Sequence, residues 1–174
     1  MDDNIIPIHA SSFFSISRDG EFHQLLQYDY YDPDEFYFKL ERDKKALTEE
    51  IRKLWMNMQG YLEDEVNKIN GRIVYPEVKF CDIQHRGRRK NPYIIWIITF
   101  KGDFQTGINI YETKTDEEAL EYDCYAMWQF PRECKKIIQV ESKLYYDIFG
   151  NRIILWGNKG MKIGGYERIQ FELT

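Results

Sequence analysis

The stretch RIVYPEVKFCDIQHRGRRKNPYIIWIITFKGDFQTGINIYETKT, residues 72–115, decides the fold. It contains three runs rich in β-branched and aromatic residues, at 72–84, 93–100 and 106–114. Polar segments that contain glycine separate these runs, as expected of turns between strands. The pattern predicts a three-strand meander over 72–115. Because the run 93–100 is apolar at successive positions, we expect it to form a central strand that is covered on both faces.

The residues before this stretch predict a hairpin followed by a long helix. Asp19-Gly20 lies between two apolar runs, which indicates an N-terminal hairpin over 11–30. Apolar residues then recur at three- and four-residue steps, which predicts an amphipathic helix over about 33–69, ended by Asn70-Gly71. At ~1.5 Å per residue this helix would be roughly 55 Å long, which is long for a chain of this size, so the alternative is a helix broken near 43–48.

The residues after the stretch predict a short helix and then more strands. Thr115 and Glu118 have the spacing of a capping box, so we expect a second helix over about 116–129. A strand over 122–130 is the alternative. Turn residues and alternating apolar positions in the last third predict a C-terminal β-meander over 136–173.

These elements predict an α+β fold: one large, mainly antiparallel β-sheet packed by a long helix and a short helix, in a single domain over 1–174. The chain has 174 residues, of which 43% are hydrophobic and 30% are charged, a composition typical of a folded domain with one core.

Its longest apolar run, 93–100, is far shorter than the ~20 residues that span a bilayer as a helix. Three irregularly spaced cysteines and no signal-like start predict a cytoplasmic protein without membrane contact.

Glu112 and Lys114 lie two residues apart at the end of a predicted strand. This spacing resembles the second half of the motif of the PD-(D/E)xK nucleases, in which carboxylates on neighbouring strands hold Mg²⁺ and a lysine helps to position the nucleophile. If Ile95 pairs with both Asp82 and Glu112, the two carboxylates lie about 9–10 Å apart on one face of the sheet. The competing interpretation is that Glu112 and Lys114 form the polar end of an ordinary strand.

Two further clusters point to binding rather than catalysis. Arg86, Arg88, Arg89 and Lys90 form a basic loop that could contact a nucleic-acid backbone, or could be a charged hairpin tip that discourages association of sheet edges. Tyrosines interleaved with acidic residues before and within the long helix suggest a protein-binding surface. The competing interpretation is that they form the start of that helix. These tyrosines are Tyr28, Tyr30, Tyr31 and Tyr37.

We therefore expect a non-enzymatic interaction or accessory protein that binds a protein partner or a second copy of itself. Nucleic acid is a further expected partner, through the basic loop, and no cofactor is expected. The alternative is a Mg-dependent nuclease that uses Asp82, Glu112 and Lys114. A third class is a carrier of a small ligand, which would require a large enclosed cavity between the helix and the sheet.

Overall fold

The structure, a computed structural model, describes residues 4–174. Two helices are present in this range, α1 (Phe36–Leu40) and α2 (Lys44–Asp64). The strands are β1 (Ile6–Ile16), β2 (Glu21–Tyr31), β3 (Val66–Ile69), β4 (Arg72–Val74), β5 (Glu77–His85), β6 (Pro92–Lys101), β7 (Gly107–Ala119), β8 (Asp123–Gln129), β9 (Cys134–Glu141), β10 (Tyr145–Phe149), β11 (Arg152–Gly157) and β12 (Lys162–Leu173).

The strands form two sheets. Sheet A has seven strands in the order β10-β11-β8-β1-β2-β6-β5, and sheet B has five in the order β4-β3-β7-β12-β9. All pairs are antiparallel except β1 with β8, so sheet A is mixed. The α+β class is confirmed, whereas the single large sheet is replaced by two.

The predicted long helix is broken, as its length suggested. α1 ends at Leu40 and α2 begins at Lys44, with Asp43 between them as the cap of α2. The Asp43 carboxylate accepts hydrogen bonds from the backbone nitrogens of Lys45 at 3.0 Å and Ala46 at 3.1 Å, which satisfies two free donors of the first turn. α2 ends at Asp64, and the residues up to Ile69 form strand β3 instead of more helix.

The N-terminal hairpin is confirmed as β1 and β2, but the helix predicted over 116–129 is wrong. This segment contains the end of β7 and the whole of β8. β8 fills the gap between β1 and β11 and hydrogen-bonds to both. A helix there would leave two strands of sheet A without their neighbour, so the sheet pairing overrides the local capping pattern.

Both predicted meanders are divided between the sheets. β5 and β6 pair as expected, but β7 leaves sheet A and pairs with β3 and β12 in sheet B. In the C-terminal third, β10 and β11 join sheet A, whereas β9 and β12 pair with each other in sheet B. Strand order along the chain did not reveal these crossings between sheets.

Two core clusters cover the same inner face of sheet A. One lies between the two sheets and includes Phe22, Trp128 and Phe171. The other lies beneath the helices and includes Leu54 and Ile94. Among residues 4–174, neither sheet B nor a helix covers the opposite, outer face of sheet A, where Ile97 is 37% exposed. The expectation that the strand 93–100 is covered on both faces is therefore wrong. Within residues 4–174, no helix is long and apolar enough to cross a membrane.

Candidate functional site

The structure does not bring the predicted nuclease residues together. Asp82 lies on β5 in sheet A, opposite Ile95, whereas Glu112 lies on β7 in sheet B, opposite Lys68 and Arg168. The predicted pairing of Ile95 with Glu112 is therefore wrong, because β6 and β7 belong to different sheets.

The side chain of Glu112 has a structural contact instead. Its Oε1 accepts a hydrogen bond of 2.5 Å from the hydroxyl of Tyr166 on the adjacent strand. Lys114 lies on the same strand, opposite Val66 and Tyr166. In the part of the chain that the structure describes, no group of three or more histidine, cysteine, aspartate or glutamate side chains is arranged to hold a metal ion.

The basic loop is the exposed tip of the β5–β6 hairpin, and two of its cations are already engaged. Arg86 donates to Asp29 at 3.1 Å and lies 4.3 Å from the centre of the Tyr93 ring. Arg89 lies 4.5 Å from the centre of the Phe38 ring. Arg88 and Lys90 are exposed and form no salt bridge with any residue in 4–174.

The four predicted surface tyrosines do not form one surface. Tyr37 on α1 and Tyr30 beneath the helices are buried, at 0% and 4% exposure, and Tyr28 is half-buried on the inner face of sheet A. Tyr31, at 41% exposure, is the exposed member of the group. Alternation along β2 explains the inward direction of Tyr28 and Tyr30, since residues two apart share a face of a strand.

The outer face of sheet A carries an apolar row that crosses six strands. The strand register aligns Phe80, Ile97, Leu25, Phe13, Met127 and Ile154. We call these six residues the outer apolar row. Phe80, Leu25 and Phe13 are 43%, 40% and 40% exposed, and a shallow depression of about 260 Å³ lies between Phe13, Leu25 and Ile97.

The neighbouring rows add aromatic surface and keep charge at the margins. On one side, Ile95, Tyr125 and Trp156 occupy the same face, with the uncharged polar residues Gln27 and Ser11 between Ile95 and Tyr125. This row ends with Asp82 on the edge strand β5. On the other side lie polar side chains such as Thr99. The centre of the face is therefore apolar, and the charged side chains lie near the edges of the sheet.

A cavity of about 640 Å³ lies between the inner face of sheet A, sheet B and α2. Aromatic side chains form much of its wall: Phe14, Tyr28, Tyr61, Tyr111, Tyr122 and Trp128. Phe14 and Trp128 stack with their ring centres 4.0 Å apart, and Tyr28 and Tyr122 meet edge to face at 6.0 Å. Its volume is within the ~300–1,000 Å³ typical of small-molecule sites.

One end of this cavity is polar. In sheet B, Asn67, Thr113 and Glu167 lie side by side across three strands, next to the apolar row that contains Tyr111. Glu65, just before β3, also lines the cavity. The Tyr111 hydroxyl donates to Oδ1 of Asn67 at 2.7 Å, and Ser142 donates to Glu167 at 2.6 Å.

Burial changes the acidity of these groups. It raises the pKa of Glu65, and repulsion from Glu167 raises it further, while the Asn67 side chain partly offsets the change. Burial likewise raises the pKa of Glu167, against smaller opposing effects of Ser142 and Lys143. Burial raises the pKa of Tyr111, negative charge on Glu65 and Glu167 adds to the rise, and a hydrogen bond with Thr113 partly offsets it.

The cysteines are not equipped for nucleophilic chemistry. Burial raises the pKa of Cys81 to about 12 and that of Cys134 to about 11, and it also raises the pKa of Cys124. A thiol needs a lowered pKa to supply thiolate near neutral pH. These three side chains therefore act as packing residues.

No protein-family model matches this chain, and a comparison with curated proteins finds no match. What the molecule does is therefore inferred from its own surfaces and cavity. Sequence reasoning missed both the outer apolar row and the polar end of the cavity. The apolar character of both faces of the strand 93–100 was the available signal for the first.

Proposed function

We propose that this chain is a non-enzymatic interaction protein that binds a second copy of itself through the outer face of sheet A. The observation that carries the proposal is the outer apolar row, which crosses six strands without a charged side chain. Proteins that stay monomeric rarely expose a continuous apolar patch of this kind.

The dimensions of the face suit a dimer. Seven strands at about 4.8 Å spacing and three outward-facing rows at about 6.8 Å give a face of about 690 Å². Two such faces in contact would bury about 1,400 Å² if fully covered, within the range of stable protein interfaces. Two sheets pack face to face through apolar side chains about 10 Å apart, so a second copy supplies a matching surface.

The test is the oligomeric state of the protein and of variants with a charge placed at the centre of the face. We expect wild type to sediment as a dimer at micromolar concentration and Phe13→Glu to dissociate with an affinity at least about tenfold weaker, since a charge would be buried without a partner. Met56→Glu is the matched control, because Met56 is 57% exposed on α2, away from this face.

A third variant separates face-to-face packing from edge pairing. Ile148 lies on β10, an edge strand of sheet A, and is 42% exposed. We expect Ile148→Glu to leave the dimer intact. A monomeric wild type, or a dimer lost in Ile148→Glu but retained in Phe13→Glu, would refute the proposed surface.

A second candidate function is contact with nucleic acid through the tip of the β5–β6 hairpin. Arg88 and Lys90 favour it, because both are exposed and neither is held by a carboxylate among residues 4–174, whereas Arg86 is. The aromatic contacts of Arg86 and Arg89 would hold the tip in place while Arg88 and Lys90 reach a phosphate backbone.

Binding to labelled single- and double-stranded oligonucleotides across a salt series tests this function. We expect the double variant Arg88→Glu/Lys90→Glu to bind at least about tenfold more weakly and with a flatter salt dependence, because each lost phosphate contact removes ~0.9 from the logarithmic slope on duplex DNA. Lys44→Glu/Lys45→Glu, at the exposed start of α2, is the control with the same charge change. Equal binding by both double variants would exclude the hairpin tip.

A further inference from the structure

The cavity between the two sheets has a feature that packing does not explain. Its polar end contains two half-buried carboxyl groups, Glu65 and Glu167, which both line the cavity. Negative charge on Glu167 contributes to the raised pKa of Glu65. Two carboxylates that line one cavity repel one another, and removing each from water is costly. In a cavity lined by apolar rings, this arrangement calls for a positive charge.

The described residues do not supply that charge. No lysine, arginine or histidine in 4–174 forms a salt bridge with Glu65 or Glu167. Lys143 influences Glu167 at a distance, but its Nζ pairs with Glu117 at 2.7 Å. Arg168, which also lines the cavity, pairs with Glu141 at 3.7 Å.

A second observation at the same end concerns an amide. Asn67 lines the cavity and is 2% exposed, and its Nδ2 lies near Glu65 but forms no hydrogen bond of good geometry with any residue in 4–174. A buried amide donor without an acceptor is uncommon, because it loses its bonds to water without replacement. A ligand with an acceptor atom next to its charged group would satisfy it.

We propose that the cavity binds a small organic amine, with its ammonium group between Glu65 and Glu167 and its apolar or aromatic body between the rings of Phe14, Tyr28 and Trp128. The two carboxylates would supply charge-assisted hydrogen bonds in a site of low polarity. Aromatic faces add attraction for the cation and a large contact area for its body. This proposal stands apart from self-association, since the cavity lies on the inner side of sheet A.

Three probes of nearly the same shape test the class of ligand: tryptamine, tryptophol and indole-3-acetate. Isothermal titration calorimetry on the full chain should show tryptamine binding at least about tenfold more tightly than the neutral tryptophol, and indole-3-acetate binding least. Hexylamine replaces the ring by an aliphatic body and should bind more weakly than tryptamine. If neither amine binds at millimolar concentration, or if tryptophol binds as tightly as tryptamine, the proposal is wrong.

The variants Glu65→Gln and Glu167→Gln locate the site. Each should weaken tryptamine binding about tenfold or more, while Glu63→Gln, on the exposed side of α2, should not change it. A carboxyl whose folded pKa is raised costs stability as the pH rises through that pKa, so the two glutamine variants should be at least as stable as wild type at neutral pH. Unchanged tryptamine affinity in both variants would overturn the proposal.

Discussion

Replacing Phe22 by alanine is expected to lower the free energy of unfolding by about 3–5 kcal/mol. Phe22 is fully buried at the centre of the cluster between the sheets. Its ring stacks on Phe100 with centres 4.4 Å apart, and its centre lies 6.2 Å from that of Trp128 in sheet A and 6.0 Å from that of Tyr111 in sheet B. Rings on two sheets cannot shift far enough to fill the space it leaves, so a cavity would remain.

Urea unfolding at one fixed protein concentration measures this effect, because association would otherwise add to the apparent stability. Tyr31→Ala is the matched control, since Tyr31 is an aromatic residue on the same strand but is 41% exposed. It should cost less than about 1 kcal/mol. If the two variants lose similar stability, Phe22 does not lie at the junction of the sheets.

Asn109→Ala is expected to destabilise the protein by about 3 kcal/mol, even though Asn109 is a polar residue. Asn109 is fully buried where the chain passes from sheet A to sheet B. Its Oδ1 accepts from the backbone of Gln105 and from Nδ2 of Asn70, each at 2.9 Å. Its Nδ2 donates to the carbonyl oxygens of Gln105 at 2.7 Å and Gly107 at 3.2 Å. Alanine would remove all four of these hydrogen bonds, and each typically contributes ~0.5–1.5 kcal/mol to stability.

The same denaturation experiment tests this prediction against Asn158→Ala. Asn158 lies in the exposed turn before β12, so the loss of its side chain should change stability by less than about 0.5 kcal/mol. A loss below 1 kcal/mol for Asn109→Ala would mean that water replaces its partners and that this junction is open to solvent.

The helix predicted over 116–129 failed for a reason that lies in the spacing of its apolar residues. Leu120, Cys124 and Trp128 are four residues apart, and a step of four keeps side chains on one face of a helix and also on one face of a strand. Met127 was the discriminating residue, because it shares their face in a helix and points to the opposite face in a strand. It lies on the outer face of sheet A, opposite Phe13 and Ile154.

Asn70-Gly71 shows a second ambiguity of the sequence. These residues were interpreted as the end of a long helix, but they form the turn of the β3–β4 hairpin, with φ angles of 51° and 77°. Both motifs need left-handed backbone at the same dipeptide, so the sequence indicates the turn without identifying the elements that it joins. In contrast, Asp19-Gly20 correctly predicted the first hairpin, because period-two apolar runs lie on both sides of it.

The candidate sites were harder to predict than the elements. Glu65 directly precedes β3 and Glu167 lies on β12, far apart in the sequence, and both line one cavity because β3 and β12 both pair with β7. The nuclease interpretation depended on the opposite assumption, that β7 pairs with β6. A single error about which sheet a strand joins therefore creates one apparent site and hides another.

Hydroxyl-radical footprinting at low and high protein concentration tests most directly whether the outer face of sheet A is buried between two copies. Phe13 and Met127 lie in the outer apolar row, and Met56 on α2 serves as an internal reference. We predict that oxidation of Phe13 and Met127 falls as the protein concentration rises, while oxidation of Met56 does not change. If Phe13 and Met127 are oxidised equally at every concentration, this face is not an interface between copies of the chain.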